Sequence, residues 1–209
     1  MRGLVADLLR RGWATWNIEY RRVGEGGGWP ATFVDVADAI DHLRELPAPL
    51  DLDAVSLLGH SAGGHLALWA AARRHLPEAA PGAGPAIEPR AVIGQAAVCD
   101  LAGAYRMWRG GAVRSLMGGS PGELPERYAL SDPLALAPPP APVLLVHGVA
   151  DATVSVQLSR SYARRGEQLG AAVELVEIEG SAGGHRAHID PRGSAWSTAA
   201  QWLEETRSR

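Results

Sequence analysis

The sequence predicts an α/β fold, a mostly parallel sheet with helices on both faces. Three observations carry that expectation. Short runs of Val, Ile and Leu alternate along the chain with segments of helical periodicity, the pattern of strand–helix units. One such run, residues 55–58, leads through Gly59-His60-Ser61-Ala62-Gly63-Gly64 into a helix-forming stretch, the sequence form of a sharp strand-to-helix turn. The 209 residues, 46% of them apolar, fit one domain spanning 1–209 with an ample core.

The elements follow in order. Residues 1–11 place Leu4, Val5, Leu8 and Leu9 on one helical face, and Gly12 is a stop signal. Residues 13–20 alternate in the manner of a strand, and 21–29 form a Gly-rich loop. Pro30 suits a first helical position, after which Phe33, Val36, Ala37, Ile40 and Leu43 recur at helical spacing until Pro47. Residues 55–58 are a short buried strand, 63–76 a helix, 77–89 a surface connection and 92–98 a third strand. Residues 100–142 break into Gly and Pro punctuation with short helical pieces. That segment is too long for an ordinary connection and is expected to be an irregular insertion over the active site. Residues 143–147 are an apolar strand, and Val154, Leu158, Tyr162 and Leu169 mark a helix. Residues 173–178 are the last strand, and Trp196, Ala199, Ala200 and Leu203 line a terminal helix.

Composition excludes several classes of function. A net charge of −3 gives no electrostatic argument for nucleic acid or a membrane surface. All twenty basic side chains are arginine, and the pairs Arg21-Arg22, Arg73-Arg74 and Arg164-Arg165 read as solvated faces. The absence of lysine removes a P-loop lysine, a Schiff-base lysine and a Ser-Lys dyad. A single cysteine, Cys99, allows no internal disulfide and no zinc-type spacing, and its place after an apolar run predicts a buried thiol. No apolar stretch approaches membrane-spanning length and no signal-peptide core is present, so the expected location is cytoplasmic. The glycines at 24–28 lie between strand and helix but lack the dinucleotide spacing, and no acidic residue ends the next strand. They predict a mobile loop beside the active site. No cofactor and no metal site is implied.

The chemistry-bearing residues fall at strand ends. Gly59 and Gly63 are expected where a side chain would collide with the tight turn, and Gly64 where the helix must approach the strand. Ser61 would stand at a helix N-terminus, where unpaired N–H groups favour developing negative charge. Asp151 follows the strand 143–147, and His185 follows the last strand in a Gly-rich loop. Ser61, Asp151 and His185 therefore occur in the chain order of a strand-borne triad. His185 would take the Ser61 proton, Asp151 would fix the imidazole tautomer, and the Ala62 N–H would donate to the oxyanion. Competing roles are a tight-turn residue for Ser61 and a helix cap for Asp151, and His188 lies in the same loop as His185. His60, His65 and His147 read as hydrogen-bonded packing residues. Asp190-Pro191 reads as a turn before the terminal helix.

Four stretches resemble α/β-hydrolases of the esterase/lipase group related to kynurenine formamidases and prolyl-oligopeptidase-type hydrolases. They are residues 16–22 with 27–33, residues 59–67, His147-Gly148 with Asp151 and Val154, and Gly183-Gly184-His185 with Ile189-Asp190-Pro191. The resemblance covers nearly the whole chain and implies cofactor-free hydrolysis of carboxylic esters or small amides by Ser61, Asp151 and His185. It departs at Arg186-Ala187, where relatives often carry an aromatic and an Asp, and at the start, where relatives carry further strands and a His-Gly-Gly loop that supplies a second oxyanion donor. The expectation is that Met1 is an internal methionine and that the fold is truncated at its N-terminus, leaving unpaired backbone beside the strand at 55–58. A directly paired 13–20 strand would close that gap.

The expected substrate is a small ester cleaved through an acyl-enzyme. The alternatives are an arylformamidase, a small-peptide hydrolase, or an impaired fragment acting at most as a binding domain. Trp29 and Trp108 are the candidate substrate contacts. Tyr105 and Met107 are candidates for the same apolar pocket, with ordinary packing as the competing role.

Overall fold

Four parallel strands lie between two layers of helices in the computed structural model, which describes residues 1–136 and 138–207. The strands are β1 (Ser56–His60), β2 (Ala91–Gln95), β3 (Val143–Gly148) and β4 (Val173–Ile178), and they pair in chain order. Every residue of β2 and β3 is buried, which is why these strands read as unbroken apolar runs without alternation. The period of two still sorts their side chains. Ile93, Leu144 and Val146 face one layer, while Val92, Val143 and Leu145 face the other.

On the first face lie α1 (Arg2–Arg10) and α8 (Ser194–Arg207), packed through Leu4, Trp196, Ala199 and Leu203. Helix α1 presents Leu4 inward as its periodicity predicts, but Leu9 is exposed. Its other buried residue is Asp7, which accepts hydrogen bonds from Trp196 Nε1 at 2.8 Å and Arg11 Nε at 2.7 Å. A buried carboxylate is tolerable only with such donors. On the second face lie α2 (Ala31–Asp41), α3 (Ala62–Ala71) and α7 (Val156–Gln168), through Phe33, Ile40, Leu68, Trp69 and Tyr162. Helix α3 buries eight of its ten residues and is apolar all round, as a helix wedged between a sheet and other helices must be. Arg73, just past α3, is buried and bidentate to Asp41.

Residues 100–142 hold three short helices, α4 (Leu101–Met107), α5 (Gly111–Met117) and α6 (Pro125–Ser131), separated by Gly- and Pro-rich turns. Among the described residues no helix is long and apolar enough to cross a membrane.

The segment 13–20 departs from expectation, because it forms no strand. Among the described residues β1 pairs only with β2, and nothing pairs with its outer edge. Side-chain alternation alone does not make a strand; a neighbouring ladder must take up the N–H and C=O groups. Here the aromatic residues carry the segment between layers instead. Trp13 Nε1 donates to Glu204 of α8 at 3.0 Å, and Trp16 Nε1 donates to the Ala39 carbonyl of α2 at 3.0 Å.

Candidate active site

The turn after β1 is shaped by glycine where the chain approaches itself. A Cβ on Gly59 would overlap the Gly63 carbonyl, and one on Gly64 would lie 2.6 Å from the Ala97 Cβ. Gly63 differs from expectation: a Cβ there would face open space, so its place in the motif is not dictated by crowding. Ser61 sits between them at φ 57°, ψ −120°, a conformation that non-glycine residues adopt only where the surroundings enforce it. The enforcement is visible in its backbone. The Ser61 N–H donates to the Gln95 carbonyl at 2.9 Å, and its own carbonyl accepts the first helical bond of α3, from His65 N–H at 3.1 Å. Ala62 opens α3, so its N–H belongs to the first turn, which finds no partner within the helix.

His185 opens a short 3-10 turn, His185–Ile189, that follows another, Gly180–Gly183, after β4. Its Nε2 accepts from the Ser61 hydroxyl at 3.1 Å, and its Nδ1–H donates to Asp151 Oδ2 at 2.8 Å. The proton assignment follows from the carboxylate, which only accepts. Asp151 lies just beyond β3 with a fully buried side chain. Burial acts to raise its pKa, but hydrogen bonds from the Val154 N–H, from His185 and from the Thr153 N–H outweigh it and hold the carboxyl below its usual value. The Thr153 and Val154 bonds, at 2.8 and 3.0 Å, both reach Oδ1 and leave Oδ2 for His185. The cap role and the His-orienting role of Asp151 are thus divided between its two oxygens.

Three further histidines near the strand ends each face a different carbonyl. The carbonyls of Val98, Val154 and His185 accept from His65 Nδ1, His147 Nε2 and His60 Nε2 at 3.1, 2.9 and 2.8 Å. His147 Nδ1 accepts from the Ser159 hydroxyl at 2.7 Å. Burial pushes all three below the ordinary histidine value, His65 to about 4. His188, the rival base in the same loop, is fully buried; its ring nitrogens have no partner among the described residues, and burial brings it to about 4. It is therefore hydrogen-bonded to neither Ser61 nor Asp151. Cys99 is fully buried, and burial lifts its thiol to about 12. Among the described residues no group of three His, Cys, Asp or Glu side chains could hold a metal ion.

An apolar pocket of about 260 Å³ opens beside the turn. Ala62, His65 and Leu66 of α3 form one wall, Trp108, Val113 and Leu116 of the 100–142 segment another, and residues 20–23 a third. Trp108 thus meets the pocket, whereas Trp29 packs edge-on against Phe33 at 5.0 Å and is not among the lining residues. Met107 is exposed, and Tyr105 packs edge-on against Tyr128. The Gly-rich loop contributes one anchor to this wall: the Trp29 N–H donates to the Leu116 carbonyl at 2.8 Å. Gln95, whose only sequence signal is an amide ending an otherwise apolar strand, meets both the Ser61 turn and the His185 turn.

A parallel sheet with these three groups at its carboxyl edge has the architecture of the α/β-hydrolases, and solved structures agree. A truncated form of a carbohydrate esterase from gut microbiota superimposes with a TM-score of 0.81 at 22% identity, over 99% of this chain and 79% of that one. Esterase B from Lactobacillus rhamnosis, in a structure with a tributyrin phosphonate, gives 0.79 at 18% identity, over 99% and 69%. Esterase 2 of Thermogutta terrifontis, phosphoramylated by tabun, gives 0.65 at 27% identity, over 90% and 69%. No curated protein matches the sequence. The class is therefore an esterase-type α/β-hydrolase. Within it, the chain belongs to the BD-FAE family, whose model matches residues 1–165.

Proposed function

We propose that the chain hydrolyses small carboxylic esters through an acyl-enzyme on Ser61. The relay from Ser61 Oγ through His185 to Asp151, with links of 3.1 and 2.8 Å, carries this reading. His185 Nε2 takes the hydroxyl proton as Ser61 Oγ attacks the ester carbonyl. The oxyanion that forms meets the Ala62 N–H at the start of α3, where the helix dipole adds to the single hydrogen bond. The His185 imidazolium, stabilised by the Asp151 carboxylate, then returns its proton to the leaving alkoxide. Water repeats the sequence on the acyl-enzyme and releases the acid. No step calls for a cofactor.

The pocket supports an ester with one apolar arm. Leu66, Val98, Leu101, Trp108, Val113 and Leu116 give it a mainly apolar lining beside Arg21 and Arg22, and Ala62 places it next to the reacting carbonyl. Each methylene buried there contributes about 0.8 kcal/mol. The p-nitrophenyl butyrate ester is therefore expected to exceed the acetate in kcat/KM by roughly tenfold, and Leu116→Trp to erase that preference.

The experiment is fluorophosphonate labelling of the folded chain, with mass spectrometry to locate the adduct and Ser61→Ala as control. An adduct confined to Ser61 is the expected outcome. A folded sample that takes no label, or takes it elsewhere, overturns the reading.

A further inference from the structure

The base sits on the least regular part of the site. Only 3-10 turns cover 180–189, and Gly180, Ser181 and Ala182 are exposed. Turns of this kind have few internal bonds and do not hold a side chain to a fraction of an ångström by themselves. Something outside the turn must fix it.

Two side chains reach it from the sheet. His60, the last residue of β1, donates from Nε2 to the His185 carbonyl at 2.8 Å. Gln95, the last residue of β2, donates from Nε2 to the His188 carbonyl at 2.9 Å. The two donors are register partners across the sheet, so they stand side by side on one face of it. The carbonyls they hold are three residues apart, one turn of 3-10 helix. A carbonyl oxygen only accepts, which assigns an N–H to His60 Nε2 and the amide nitrogen to the Gln95 contact. Gln95 also reaches the other half of the site, because its main-chain carbonyl takes the Ser61 N–H. One residue thus spaces nucleophile and base from its two ends.

We propose that His60 and Gln95 are positioning residues that clamp the base turn onto the ends of β1 and β2. These two hydrogen bonds, more than the turn's own packing, set the His185 ring between Ser61 and Asp151. The inference rests on the triad reading of Ser61, His185 and Asp151. His60 makes no hydrogen bond to the Ser61 hydroxyl or to Asp151; its ring lies 4.6 Å from the His185 ring, tilted by 46°, with its N–H on the backbone.

The test uses the conservative and non-conservative variants of each donor. The amide nitrogen of a glutamine falls near His Nε2, while that of an asparagine falls near Nδ1. His60→Phe and His60→Asn are therefore expected to lower kcat on p-nitrophenyl acetate and the fluorophosphonate labelling rate by on the order of 10- to 100-fold, as sub-ångström misplacement of a catalytic group does. KM should stay within about twofold, since substrate contacts are untouched. His60→Gln should recover most of the loss. Gln95→Met should behave as His60→Phe does, and amide hydrogen exchange over 180–189 should quicken in both while β1–β4 stay protected. His60→Phe at full kcat, or a loss that His60→Gln does not rescue, overturns the clamp. Should Gln95→Met fail to fold, the three His60 variants decide alone. A wild-type chain that does not label at Ser61 would sink the triad reading itself, whereas labelling wild type with indifferent His60 variants would sink only the clamp.

Discussion

The nucleophile turn and the base turn meet within one hydrogen bond, yet they are built from different material. Around Ser61 the constraint is local: the flanking Gly59 and Gly64 allow backbone contacts that a Cβ would break, and the helix that follows is almost wholly buried. Around His185 the constraint comes from afar. Its ring is held by Asp151, 34 residues away, and its carbonyl by His60, 125 residues away. A short motif can encode the first arrangement. The second exists only once the sheet has assembled, so it depends on side-chain hydrogen bonds whose loss leaves the fold intact. Damage to the nucleophile side should therefore register as lost stability, and damage to the base side as lost rate.

The sharpest cut is Asp151→Asn. An amide at this position can present its N–H to His185 and favour the wrong tautomer. Turnover and labelling rate are expected to fall on the order of 10⁴-fold, about 5 kcal/mol in the barrier, with an unchanged circular dichroism spectrum. A loss below tenfold would mean that Asp151 does not organise the base.

Gly64→Val tests the other side. Its Cβ would press on Ala97 from a helix that cannot retreat. We expect about 3 kcal/mol of lost stability in urea titration, with activity falling in parallel. Retained stability would show that the elbow yields more readily than its burial implies.

Acid should reveal one buried group on each side. His65 in α3 and His188 in the base turn both lie near 4 when folded and near 6.5 when unfolded. Between those values the unfolded chain binds protons that the folded chain refuses, so stability rises with pH. Asp132 runs the other way. Burial lifts it to about 6, so the folded chain keeps a proton that the unfolded chain sheds near 3.8. His60 and His147 shift in the same direction, so the histidines outweigh the one aspartate, and a net loss of at least about 2 kcal/mol is expected on going from pH 7 to pH 5. His188→Leu should flatten that slope without removing a side-chain hydrogen bond among the described residues. An unchanged slope would contradict the buried neutral state of His188.

The smallest effect belongs to Ala182→Ser, on the exposed crest of the base turn, where stability should stay within about 0.5 kcal/mol. A larger change would show that the turn carries packing of its own.

The same division explains what the sequence makes legible. The strand at 173–178 stands at its expected bounds, and the other three strands lie within a few residues of theirs. Burial on two faces makes β2 and β3 legible as apolar runs, while the half-buried β4 still shows Val, Leu and Ile around its two glutamates. Helix starts at Ala31 and Ser194 follow from Pro30 and the turn at Asp190-Pro191. Ser61, Asp151 and His185 are brought together because each is tied to a strand end. Residues 13–20 mislead because alternation reports a half-buried chain but not the neighbour it needs. The open-space setting of Gly63, the edge-on contact of Trp29 with Phe33 and the double contact of Gln95 are tertiary facts. No spacing in the sequence announces them.

The end of β3 and the loop after β4 cross where Gly148 meets Gly183, and a Cβ on Gly148 would overlap the Gly183 carbonyl. Acid and base are thereby carried on two arms that touch through bare backbone, with no side chain between them to adjust. In a saturation library this crossing should appear as a pair of positions that accept only glycine, although neither offers a side chain to the reaction. Attempts to evolve the chain toward new esters would then find their freedom in the 100–142 wall and almost none at the hinge of the two arms.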